Sequence, residues 1–225
     1  MPFDDAKRQG PGRGSHERAI NLPPTLAWLI GINVVVHLLR QMLSESADQS
    51  LLLALGLIPS RYTGGDAGDD WWSLVLAPIT YQFLHGGWLH LAVNMFSLAA
   101  FGAPVERLLG TRRFVLFYLS AGVVSGLIHV AIYAGSDDVV IGASGAISGV
   151  FGAVLMVMRQ SGRLGSLLPV AGLWIGLTVF FGLSGSTPGA GGEQVAWVAH
   201  IGGFVYGLLA IRLFVSGPPP RPRDR

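Results

Sequence analysis

The chain contains no cysteine. Disulfides and thiol chemistry are therefore excluded, and no redox compartment can be read from it. Charge is also scarce. Asp, Glu, Lys and Arg make up 12% of the 225 residues, against roughly 25% in soluble domains. No HExxH pattern occurs, and neither Cys nor clustered carboxylates join the histidines, so no metal is expected. The first 25 residues are polar, and no short apolar core with a small-residue cleavage site precedes the first long apolar run, so no signal peptide is expected. What remains is 51% hydrophobic with a mean hydropathy of +0.52, the composition of an integral membrane protein. The pI near 9.3 does not point to nucleic acid, because the basic residues lie at the borders of the apolar runs.

A membrane span needs about 20 mainly apolar residues. Six segments approach that length, over 26–43, 79–104, 114–134, 139–158, 167–183 and 195–215. A shorter apolar run, 51–58, is expected to lie in the membrane interface as part of a long first loop. Residues 1–25 and 216–225, rich in Gly, Pro and charge, read as disordered tails. Lys7, Arg8, Arg13, Arg18, Arg107, Arg112, Arg113, Arg159, Arg163, Arg212, Arg221, Arg223 and Arg225 fall on one side of the alternating spans, and only Arg40 and Arg61 on the other. Basic loops stay cytoplasmic, so six spans with both termini inside are expected.

Ser144 lies in the stretch Gly142-Ala143-Ser144-Gly145-Ala146-Ile147-Ser148-Gly149. A serine among small residues at the mouth of a span, taken alone, fits close helix packing better than a nucleophile with room for a substrate backbone. Ser144 follows Asp138 by six residues, and His200 follows Gln194 by six. At 1.5 Å per helical residue each is expected up to about 9 Å below its loop. Span two carries His85, His90 and Asn94 in its outer half, so one Ser, several His and one Asn gather at one level. Ionisable groups inside a membrane are costly and point to function. Imidazole titrates near neutral pH, and a serine hydroxyl needs such a base to become a useful nucleophile. Gly145, Gly149 and Ala153 repeat every four residues, as do Ala199, Gly203 and Gly207. Two such small faces pack closely, which would bring Ser144 to His200. His90 and Asn94 share a helix face. They read either as interhelical hydrogen-bonding groups or as donors to an oxyanion. No Asp or Glu lies inside spans four or six to complete a triad.

With these residues in view, the chain resembles the rhomboid intramembrane serine proteases over about residues 26–215. The resemblance rests on Gly142-Ala143-Ser144-Gly145 as a GxSG motif, Ala199-His200 in the last span, and His90-Leu91-Ala92-Val93-Asn94 as an HxxxN motif. It extends along the run from Asn94 through Leu98, Phe101-Gly102 and Glu106 to Gly110. GxSG alone is weak; three motifs in the right order, spans and depth are strong. The resemblance implies an all-α membrane protein with a six-transmembrane-helix rhomboid-like bundle. It implies Ser144 as nucleophile, His200 as general base, and His90, Asn94 and the Ser144 backbone N–H as oxyanion donors. It implies no metal or cofactor, and partners limited to the lipid bilayer and transmembrane-helix protein substrates, with no nucleic acid. It implies a membrane-embedded first loop and a mobile fifth loop, here 184–194. The minimal core resembles prokaryotic members, hence an inner-membrane setting. A silent, helix-binding relative usually lacks the Ser or the His, and both are present. A transporter would place polar residues near mid-membrane or in paired broken helices, whereas here they gather toward one face.

Two positions depart from the family pattern. Trp72 is followed by Ser73 where an arginine is common, which puts arginine anchoring of the first loop in doubt. Ser148 stands where some members stack an aromatic on the catalytic histidine. Glu106, beside Arg107, reads as structural, accepting backbone N–H groups in the turn at the cytoplasmic end of span two. His129 reads as a packing residue, and Trp28, Trp71, Trp72, Trp88 and Trp197 as interface anchors.

Overall fold

The computed structural model describes residues 22–64, 71–184 and 196–215. The two tails, apart from 22–25, and the fifth loop beyond Ser184 lie outside the described residues. α1 (Pro24–Gln41) opens on a proline, which suits a first turn whose N–H groups have no intrahelical partner. α2 (Glu45–Leu55) is capped by the Ser44 hydroxyl, which accepts from the Ala47 N–H, and carries Glu45 and Asp48 in its first turn. α3 (Ser60–Thr63) and α4 (Trp71–Thr80) also lie in the first loop, and a 3-10 turn, Tyr81–Phe83, leads out of it. The bundle follows as α5 (Trp88–Leu109), α6 (Thr111–Ile132), α7 (Ser144–Gln160), α8 (Leu168–Ser184) and α9 (Trp197–Phe214). Among the described residues no strand forms; one isolated antiparallel bridge joins Leu57 to Val140.

α5, α6 and α9 are each long and apolar enough to cross a membrane, and α8 is apolar but shorter. Large apolar side chains point outward, with Leu213 85%, Phe96 77% and Leu183 72% exposed. Apolar surface on this scale is rare on a soluble monomer; on membrane helices it is the lipid-facing side. α7 occupies the centre, packed by α5, α6 and α9. Its Val150 and Ala153 meet a core built on Leu98 and Val105 of α5, Phe114, Phe117 and Tyr118 of α6, and Ile211 of α9. α8 has no fully buried residue and lies against α9.

Three boundaries differ most from those the sequence predicts. The second long helix begins at Trp88 rather than at 79, because Gly86 and Gly87 break the run, Gly87 being fully extended (φ −173°). His85 therefore precedes the helix. At its other end α5 continues through Pro104 to Leu109 and stops at Gly110, whose φ of +73° suits glycine. The fourth span does not begin at 139. Residues 139–143 are irregular, tied through the Leu57–Val140 bridge, and α7 starts at Ser144 itself.

Glu106, buried in α5, accepts the backbone N–H groups of Leu26 (2.8 Å) and Thr25 (3.2 Å). These are unpaired first-turn donors of α1 rather than groups in the turn beside Glu106. The carboxylate joins two helices and faces the positive end of one of them. Glu106→Gln is expected to cost about 2 kcal/mol, since hydrogen bonds to a charged group contribute that much. For a chain of this size that lowers the melting midpoint by roughly 4–8 °C. Thermal unfolding in detergent measures it.

Candidate active site

The seam between α7 and α9 is built from the two small-residue stripes. A Cβ placed on Gly203 would strike the Gly145 carbonyl oxygen, and one on Gly207 the Gly149 carbonyl oxygen. On the α6 side, a Cβ on Gly149 would lie 2.7 Å from the Ala121 Cβ, and one on Gly145 would strike the Ser125 hydroxyl. Only hydrogen fits at these positions, so the backbones approach until carbonyls and Cα atoms touch.

That approach brings two distant residues together. The Ser144 hydroxyl lies 2.7 Å from His200 Nε2, across 56 residues of sequence. This is the reach a hydroxyl and its general base require. Both side chains are partly buried. Ser144 is the first residue of α7, so its N–H and those that follow point out of a helix N-terminus, where negative charge is favoured. Ser148, one turn on, donates to the Ser144 carbonyl (2.8 Å).

The approach to Ser144 is fixed by Gly142. Its φ is +123°, and a Cβ there would lie 2.9 Å from His90 Nε2 and 3.7 Å from Ser144 Oγ. His90 Nε2 and the serine hydroxyl thus flank the same small space. Gly142 donates its N–H to the Tyr81 carbonyl (2.9 Å), and the buried Tyr81 hydroxyl donates to the Gly122 carbonyl of α6 (2.7 Å). Asn94 is buried and gives one amide hydrogen to the His90 carbonyl (3.0 Å). An amide has two, so a second donor remains.

The structure therefore brings Ser144 to His200 and places His90 beside the serine, with Asn94 one turn further along the same helix. It leaves His85 outside the helix expected to carry it, and His129 packs against the Tyr133 ring. No group of three or more His, Asp or Glu among the described residues is placed to hold a metal. Tyr81 carried no sequence signal. Arg40 carried one, as a basic residue on the sparsely charged side.

Comparison with known proteins gives the same family. Residues 69–217 match the family model described as the Rhomboid domain. The chain is 32% identical over 191 residues to Rhomboid protease GluP of Bacillus subtilis (strain 168), covering 84% of this chain and 35% of that protein. It is 30% identical over 174 residues to Rhomboid-type serine protease 2 of Emericella nidulans, covering 75% of this chain and 32% of that protein. With RHOMBOID-like protein 4 of Arabidopsis thaliana it shares 35% over 144 residues, covering 63% of this chain and 34% of that protein. The chain thus spans about a third of the length of these relatives.

Proposed function

The chain belongs to the rhomboid family, and on that premise we propose that it is an intramembrane serine endopeptidase. Its substrates are proteins anchored by a transmembrane helix, cut in or near that helix. The 2.7 Å contact between Ser144 Oγ and His200 Nε2 carries the reading. His200 Nε2 takes the hydroxyl proton as Oγ attacks the substrate carbonyl. Negative charge then develops on the carbonyl oxygen beside the Ser144 N–H, with His90 and Asn94 as further donors. His200 returns the proton to the leaving amine, and a water molecule, deprotonated by the same imidazole, releases the acyl group. Every step uses side chains and backbone of the chain itself, with no cofactor or metal.

The membrane arrangement proposed is six spans, α1, α5, α6, α7, α8 and α9, forming a protease domain over 26–215. The tails 1–25 and 216–225 are assigned to the cytoplasm of a prokaryotic cell. α7 supports this placement. Its 17 residues cover about 26 Å of a hydrocarbon core about 30 Å thick. With Arg159 at the inner interface, Ser144 comes to lie below the outer one. Reaction in that dry setting strengthens the pull of each donor on the developing charge.

Purified protein in liposomes is expected to split a single-span reporter into two fragments. Cleavage should survive a metal chelator and stop with a serine-directed phosphonate. Inhibition by the chelator, or indifference to the phosphonate, would overturn the reading. His90→Ala and Asn94→Ala are each expected to lower kcat about 10²–10³-fold, the loss typical of an oxyanion donor. KM should change little, since the interaction strengthens only in the transition state. Steady-state kinetics on the same reporter separate the two constants.

A further inference from the structure

The outer end of α1 holds a polar cluster outside the proposed catalytic pair. Arg40 is 6% exposed. Its Nε and Nη2 donate to the two carboxylate oxygens of Asp48 in α2 at 2.7 and 2.9 Å, and its Nη1 donates to the His85 carbonyl at 2.7 Å. A guanidinium is a planar, rigid fork, and here it spans the first-loop helix and the segment leading into α5. The neighbouring His37 ring stands edge-on to Trp88 with centroids 4.6 Å apart, closing α1 against the same segment. Burying such a charge is costly, and a buried ion pair is weak evidence of stabilisation. The geometry points instead to positioning.

The His85 carbonyl and the Gly86 N–H belong to one peptide plane. Fixing the carbonyl on one side fixes the direction of the N–H on the other. That N–H is directed at His90 Nδ1, 3.4 Å away. A neutral imidazole whose Nδ1 accepts must carry its proton on Nε2. Nε2 is the nitrogen that faces the space beside Gly142 and Ser144.

We infer that Arg40, held by Asp48, is a positioning residue that sets the His90 tautomer through the 85–86 peptide, so that His90 Nε2–H is presented to the substrate oxyanion. The inference rests on the protease reading for the meaning of that donor, but the tautomer itself is measurable without turnover. It also gives the first loop an arginine anchor from α1, in place of the arginine missing after Trp72.

The test has two arms. In 15N-histidine spectra of the full chain in detergent, with the His90 signals identified by their loss in His90→Ala, the wild type is expected to show Nε2–H with Nδ1 unprotonated. Arg40→Met is expected to shift those signals toward a tautomer mixture. An Nδ1–H tautomer in the wild type overturns the proposal whatever the protein's activity, as does an unchanged tautomer in Arg40→Met. In kinetics on the transmembrane reporter, Arg40→Met is expected to lower kcat about 10–100-fold, the scale of a misplaced donor, with KM within twofold. In a His90→Ala background the same substitution should do nothing further. An equal loss in both backgrounds would mean that Arg40 acts through general stability, and would overturn the proposal. If Arg40→Met does not fold, Asp48→Asn, which keeps the guanidinium bond to His85, is read instead. It should give a smaller loss that also vanishes with His90→Ala, and a loss that persists there overturns the proposal.

Discussion

Ser144→Ala is expected to abolish cleavage of a transmembrane reporter, and His200→Ala to do the same, each by at least about 10³-fold. The two hold one hydrogen bond of 2.7 Å. Neither α7 nor α9 carries an Asp or Glu to support the imidazole. The double variant should be no worse than the single ones, since groups that act as a unit are not additive. Both variants should fold, because neither side chain belongs to the core that packs α7 against α9. Circular dichroism and melting in detergent check folding, and reporter cleavage checks activity. Full activity in either variant would remove the mechanism.

Gly203→Ala is the second large effect. The new Cβ would strike the Gly145 carbonyl and come within 3.4 Å of the Gly149 nitrogen. Backbone atoms cannot swing aside as a flexible side chain can, so α9 must move off α7. His200 lies one turn before Gly203 on α9 and moves with it. A displacement near 1 Å at a reacting pair costs on the order of 10²-fold in rate, and overpacking costs about 1–3 kcal/mol. Gly31→Ala in α1, where a Cβ meets nothing within 4 Å, is the matched control. It is expected to leave activity intact. Unchanged kcat in Gly203→Ala would show that the seam does not set the serine–histidine distance.

These contacts were legible in the sequence to different degrees. The stripes Gly145, Gly149, Ala153 and Ala199, Gly203, Gly207 follow the helical period, so the α7–α9 seam could be read from them and the meeting of Ser144 with His200 inferred from the seam. The start of α7 could not. Val139, Val140 and Ile141 are as apolar as the helix they precede, and the tertiary bridge from Val140 to Leu57, together with the +123° φ of Gly142 and its bond to the Tyr81 carbonyl, draws them out of it. Hydropathy is also continuous from 79 into α5. There the break depends on Gly86 and Gly87, a signal that an apolar window averages away. Glu106 was legible as a structural acceptor, but its donors belong to a helix some 80 residues away. Arg40 stood out by charge, yet one of its partners is a backbone carbonyl, which no side-chain pattern encodes.

Chemical labelling of the serine separates a base-activated nucleophile from a bystander hydroxyl without any substrate. Purified wild-type protein treated with a fluorophosphonate should carry the adduct on Ser144, located by mass spectrometry. His200→Ala, which keeps the hydroxyl but loses the base, should label far more slowly. Labelling of another residue in place of Ser144, or equal labelling of Ser144 with and without His200, would contradict a serine nucleophile activated by that histidine.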